Sequence, residues 1–277
     1  MTMEITSVQK AQEVSAMLAA PDSRILAGGT SYAGDSGGTL HLIDISGLEG
    51  LDEIRLKGKK IVLGPLATLQ AIADSTLLKA NAPALADCAA RAAAPEIRER
   101  ATIGGNLALG QIGDLAVPLL AAGAQLTIKT DCDYREVPLS RFWDSDGAND
   151  LNYDEWINRI SFQVPEEAAW GEAYAKSGEW DPRSDSSTAA AIRVILDKKD
   201  KVTTVRGGLR AGRSNIRRMF PLEKALKNKT ASDENLNKAA LAMAAAVSSI
   251  RPEAETAALL KDMLERAVNS ARERRLL

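Results

Sequence analysis

The chain has 277 residues, 45% of them hydrophobic and 26% charged, with a formal net charge of -2. That length holds a substantial core in two domains or lobes, and near-neutral charge with 4% aromatics argues against a nucleic-acid surface, which needs basic charge and rings on which bases stack. Two cysteines, Cys88 and Cys132, and one histidine, His41, are too few and too scattered for a zinc or iron–sulfur site or a histidine-based catalytic triad.

The N-terminus carries acidic Glu4 and no apolar signal region, and no apolar run is long enough for a membrane span. The expectation is a cytoplasmic protein with reduced thiols. Ser7 predicts the cap of a helix running to about Ala20, with Val8, Ala11, Val14, Met17 and Leu18 on one face. Arg24 to Ala27 predicts a short strand that delivers the turn Ala27-Gly28-Gly29-Thr30-Ser31. Leu42 to Ile45 reads as another strand, which leaves His41 as a strand residue. Glu53 to Leu56 and Ile61 to Leu63 flank Lys57-Gly58-Lys59-Lys60, a hairpin by composition. Thr68 caps a helix containing Leu69, Ile72 and Ala73, and an alanine-rich helix runs from about Ala84 to Ala93.

A second glycine turn follows, Ala101-Thr102-Ile103-Gly104-Gly105-Asn106, then a helix around Leu115 to Ala122 and a strand from Gln125 to Thr130. Residues 131–155 hold eight acidic and two basic side chains, a composition that predicts a solvated excursion or linker. Beyond a boundary near residue 165, strands are expected at Ala173 to Lys176, Ala189 to Leu196 and Val202 to Leu209. Helices are expected through Leu222 to Leu226, Asn235 to Val247 and Glu255 to Arg274, the last with a core-facing stripe from Leu259 to Ala271. Residues 201–229 hold nine basic side chains and one acid, Glu223, which reads as a solvated face or a docking belt for a partner subunit or an anionic acceptor.

The two glycine turns carry the chemistry. Successive backbone amides in such turns form a concave nest for an oxyanion, and two nests suit a ligand with two phosphates. Neither turn has the Gly-x-Gly-x-x-Gly spacing of a dinucleotide-binding Rossmann domain or the Gly-Lys-Ser/Thr of a P-loop. The order of elements is α+β, not alternating βαβ.

The stretch from Ile25 through LIDISGL (Leu42 to Leu48) and the second glycine turn to Ile128 closely resembles the FAD-binding medium subunit of the molybdenum hydroxylases, a family that includes xanthine and carbon monoxide dehydrogenases. Tyr174-Ala175-Lys176, Asp185, Arg206-Gly207-Gly208 and Leu222 to Lys229 extend the likeness. The fold it implies is the vanillyl-alcohol-oxidase type: an FAD-binding domain, 1–165, of two α+β subdomains (about 1–52 and 53–165), and a C-terminal lobe, 166–277, of small antiparallel sheet and helices.

By that resemblance, Ala27, Gly28, Gly29, Thr30 and Ser31 wrap the FAD pyrophosphate through their amides. Thr102, Ile103, Gly104, Gly105 and Asn106 do so from the other side, with the Thr102 hydroxyl and Asn106 amide adding bonds. Asp114 sits near the flavin ring, or caps the following helix, the two being compatible, and Lys176 approaches the isoalloxazine.

The implied function is an electron-transfer subunit. A large partner carries molybdenum–pterin, a small partner carries [2Fe-2S] clusters, and FAD here passes electrons to NAD, oxygen or a quinone. The alternatives are a self-sufficient flavin oxidase or reductase of the same fold, and a flavin-free scaffold. The chain departs from the family at Gly110-Gln111, at Ser31-Tyr32, and in a longer interval from Lys176 to Asp185 that holds Trp180 and Arg183.

Overall fold

Three sheets organise the chain in a computed structural model, which describes residues 2–31, 39–109, 113–144, 147–177, 188–211, 216–248 and 252–276. The first is parallel, made of β1 (Thr2–Ser7), β2 (Ser23–Leu26) and β3 (Thr39–Asp44) in the order β1-β3-β2. Ser7 therefore ends a strand and caps no helix; its hydroxyl donates to Asp44 at 3.2 Å. The helix α1 (Ala11–Leu18) starts later, where the Glu13 carboxylate takes the amides of Gln9 and Lys10 at 3.1 and 3.3 Å. It buries Val14 and Leu18 against Val8, Ile43 and Ile45. His41 faces Glu4 across β1 and β3, Nδ1 to carboxylate 3.2 Å, as a strand residue with a local partner.

The second sheet is antiparallel: β4 (Ile54–Lys57), β5 (Lys60–Leu63), β6 (Gln125–Lys129), β7 (Tyr134–Pro138) and β8 (Trp156–Gln163), in the order β4-β5-β8-β6-β7. Between β5 and β6 run α2 (Leu69–Asp74), α3 (Thr76–Asn81), α4 (Pro83–Arg91), α5 (Pro95–Arg98), α6 (Ile103–Ala108) and α7 (Ala116–Ala122). Thr68 caps α2, its hydroxyl accepting from the Ala71 amide.

The described residues of 131–155 are no linker. They supply β7 and the fully buried Leu139 and Phe142, and several of their acids are spent internally, Glu136 on Thr127 and both Asp150 and Glu155 on Arg135. Trp156, at the start of β8, is buried in the small core under α1 and so joins the first two sheets.

The third sheet is antiparallel, order β12-β11-β10-β9: β9 (Trp170–Ser177), β10 (Thr188–Leu196), β11 (Val202–Ala211) and β12 (Arg217–Arg218). After it come α8 (Phe220–Leu226), α9 (Asp233–Ala245) and α10 (Glu253–Leu276). The stripe Leu260, Met263, Leu264, Ala267, Val268 and Ala271 of α10 is buried against this sheet in a second core. The opposite face meets α7. Gly208 permits that contact, because a Cβ there would stand 2.2 Å from the Val117 carbonyl oxygen. Among the described residues no helix is long and apolar enough to cross a membrane.

Candidate functional site

β2 ends at Leu26 and the chain turns through Gly28 and Gly29, the latter at φ +68°, a left-handed conformation that a side chain strains. Gly28 lies against the Arg100 carbonyl so closely that a Cβ would stand 1.9 Å from its oxygen. The two sequence motifs are thus in contact through Arg100 and Ala101. Among the described residues the amides of Gly28, Gly29 and Thr30 have no acceptor within the protein. Three adjacent open donors on a turn that passes through the left-handed region at Gly29 are the arrangement that captures an oxyanion.

The second motif differs from the sequence expectation. Thr102 is the N-cap of α6, and its hydroxyl accepts from the Gly105 amide at 3.2 Å. The amides of Ile103, Gly104 and Asn106 donate to Ala67, Pro65 and the Thr102 carbonyl at 2.9, 2.8 and 2.9 Å. The first two of these donors hold α6 against the Pro65–Thr68 segment, and the Gly105 and Asn106 amides are spent on Thr102 in the helix's own first turn. The Thr102 amide, the Thr102 hydroxyl hydrogen and the Asn106 side-chain N–H groups have no acceptor among the described residues and are what the motif has left for a ligand.

Both motifs line one cavity of about 610 Å³, a volume typical of a cofactor site. Ala27 to Ser31 and Thr102, Gly104, Gly105 and Asn106 line it together with apolar Leu18, Ile25 and Ile45 and with Asn149, Leu151 and Glu155. Glu155 was hidden among the acids read as solvent-facing. It is 7% exposed, and accepts from Arg135 Nε and Nη2 at 2.8 and 2.6 Å and from the Asn152 amide at 2.9 Å.

The Arg135 guanidinium, and then the Asn152 amide, hold the Glu155 carboxyl below the usual 4.5, against burial. A carboxyl depressed in the fold gives stability that is complete above the unfolded value and lost as pH falls through the folded one. Urea unfolding of the full chain should therefore show a stability loss on acidification below about 4.5 that is smaller in Glu155→Gln. An unchanged acid limb in that variant would exclude the pair as its source.

Asp114 and Lys176, far apart in sequence, are brought together. Lys176 Nζ is 2.5 Å from one Asp114 oxygen and Arg210 Nη2 2.8 Å from the other, and all three side chains are buried. Asp114 does not cap α7, whose N-cap position is Leu115 with no side-chain bond. The trio does not line the cavity but adjoins it: Asn106, which lines the cavity, accepts the Leu115 amide, next to Asp114, at 3.2 Å through Oδ1. Burial and the Asp114 charge push the Cys88 thiol up, and burial with Cys88 and Asp114 does the same to the Tyr174 hydroxyl, so both stand neutral beside the trio.

Arg210 had read as one member of a basic belt. That belt is divided by the fold, with Arg210 buried on Asp114 and Arg218, half-buried, paired with Glu223. Gly110, Gln111, Trp180, Arg183 and Asp185 lie outside the described residues.

Residues 1–166 match the family model described as the FAD binding domain in molybdopterin dehydrogenase. The chain is 30% identical to subunit alpha of the 6-hydroxypseudooxynicotine dehydrogenase complex of Paenarthrobacter nicotinovorans, over 79% of this chain and 75% of that one. It is 28% identical to the carbon monoxide dehydrogenase medium chain of Hydrogenophaga pseudoflava, over 83% and 81%. A solved structure of carbon monoxide dehydrogenase from Hydrogenophaga pseudoflava, in a form lacking the Mo-pyranopterin moiety, superposes with a TM-score of 0.84 at 26% identity, covering 99% of this chain and 98% of that one. With the glycine-turn cavity at the junction of its first two sheets, the chain belongs to the family of FAD-binding subunits of the molybdopterin dehydrogenases.

Proposed function

We propose that this chain is the electron-transfer subunit of a molybdenum hydroxylase complex, taking electrons from [2Fe-2S] clusters of a small partner subunit and passing them to an external acceptor such as NAD, oxygen or a quinone. Substrate hydroxylation then belongs to a molybdenum–pterin centre in a large partner. FAD, when bound, supplies a carrier that accepts electrons singly and stores two. The observation that carries the reading is the row of open amides at Gly28, Gly29 and Thr30 on a cavity that also receives Thr102 and Asn106.

In this reading the first turn binds the pyrophosphate by backbone donation, while Thr102 and Asn106 add side-chain donors. Asp114, Lys176 and Arg210 place a net positive charge next to Asn106, a position from which they tune a flavin ring through its electrostatics. The Asp114 carboxylate orients Lys176, whose β9 backbone is fixed by pairing with β10.

Purified chain should be yellow and should release FAD on heating, identified by chromatography, while remaining inactive on hydroxylase substrates without its partners. Co-expression with large and small subunits should give a complex that reduces the bound flavin when substrate is added. A colourless chain that takes up no FAD, alone or in that complex, would overturn the proposal.

A further inference from the structure

We infer that Arg100 supplies the positive charge that holds the pyrophosphate, acting from the outer side of the first glycine turn; the inference rests on the FAD reading above. Arg100 Nη2 lies 3.4 Å from the point where a Gly29 Cβ would stand, and the Arg100 carbonyl packs on Gly28. Backbone and side chain of one residue thus both rest on the turn whose amides are open.

The neighbouring Arg98 has a different use. Its guanidinium donates to Gln70 Oε1 at 3.0 Å and to the Ala93 carbonyl at 2.7 Å, pinning the segment in place. The Ala101 carbonyl is held in turn by the Leu69 amide at 2.9 Å. Between these two anchors, the Arg100 guanidinium has no hydrogen-bond or ion-pair partner among the described residues. It lines a second cavity of about 540 Å³ that shares Ala27, Gly28, Leu66 and Thr102 with the first. Glu49 and Asp52 line that second cavity without pairing to it.

The electrostatics of the first cavity make this cation matter. Glu155, which lines it, shares the Arg135 guanidinium with Asp150, and the other charged lining residue is Arg24. A pyrophosphate brings two negative charges to amides that offer only partial ones. A guanidinium one turn-thickness away attracts it through space, within about one Debye length of ~8–10 Å.

The test is the equilibrium binding of FAD to the flavin-stripped full chain, followed by quenching of flavin fluorescence across a salt series, for wild type, Arg100→Met and Arg100→Lys. Arg100→Met should weaken FAD by roughly three- to tenfold at low salt and flatten the dependence of log Kd on log salt. Arg100→Lys should keep the wild-type slope, because it keeps the charge. An unchanged affinity and slope in Arg100→Met would overturn the inference. So would a parallel loss in both variants with the slope intact, which would mark a structural role. Failure of wild type to bind FAD under any salt condition would instead overturn the FAD reading, and this inference with it.

Discussion

Gly28→Val should abolish FAD uptake, with an affinity loss of about a hundredfold or more, equivalent to ~2.7 kcal/mol. A Cβ on Gly28 would stand 1.9 Å from the Arg100 carbonyl oxygen and 2.7 Å from its carbon. Both are backbone atoms, so no rotamer change relieves the clash and either the turn or the Arg100–Thr102 segment must move. That segment leads directly into the α6 cap, so one substitution displaces the open amides and the Thr102 hydroxyl together. Gly29→Ala should be milder. Its nearest contacts, Arg100 Nη2 and Leu26 Cδ1, are side-chain atoms at 3.4 Å, and the left-handed φ costs about 1–2 kcal/mol. Gly105→Ala should be mildest, since only the Thr102 hydroxyl comes near, at 3.2 Å. The order of FAD content across these variants, measured by heat release and checked by circular dichroism for folding, tests the geometry. Full FAD content in Gly28→Val would refute the site.

The legible parts of this molecule were those whose signal is local. Gly28 and Gly104 mark close backbone approaches that a Cβ would fill, Gly29 marks a left-handed turn, and the α10 stripe announces its buried face by helical spacing. β1 was not legible. Its six residues carry a mixed pattern, and they are a strand because β3 pairs with them from some thirty-seven positions away.

The acids of 131–155 misread for a related reason. Composition registers charge without registering that Arg135 folds back onto Asp150 and Glu155. The second glycine motif shows the same limit at the site itself. Its sequence gives the number of amides, but only the contact with Pro65 and Ala67, together with the winding of α6 onto Thr102, decides that most of them are already used. Arg100 and Arg210 were invisible as site-adjacent groups, since nothing in their local sequence separates them from Arg98 or Arg217.

Breaking the buried pair of Glu172 and Arg193 should cost about 3–5 kcal/mol, the largest stability loss expected from a single side chain here. Both side chains are nearly inaccessible, at 2% and 3% exposure, with Arg193 Nε 2.5 Å from Glu172 Oε1. They face each other in the β9–β10 register, so the sheet itself sets their approach. The second Glu172 oxygen takes the Ala84 amide, in the first turn of α4, at 3.1 Å, and Arg193 donates to Gln163 and Ala122 carbonyls at 3.1 and 3.4 Å.

One pair thus fastens the third sheet to the start of α4, the end of β8 and the end of α7. Arg193→Met would leave the carboxylate buried with a single amide donor. Glu172→Gln would leave a buried guanidinium without its counter-charge. The double variant should cost less than the sum of the two, because no charge is then stranded. At about 2–4 °C per kcal/mol for a chain of this size, Arg193→Met should lower the melting temperature by roughly 6–20 °C. Lys176 rides on the same strand as Glu172 and meets Asp114 across the same junction. Loosening the clamp should therefore also change the flavin's reduction potential, without removing any residue that lines the cavity. Thermal unfolding by circular dichroism together with a spectroelectrochemical titration checks both parts. A melting temperature within about 2 °C of wild type, the shift expected for under ~1 kcal/mol, would show that this pair does not fasten the third sheet to α4, β8 and α7.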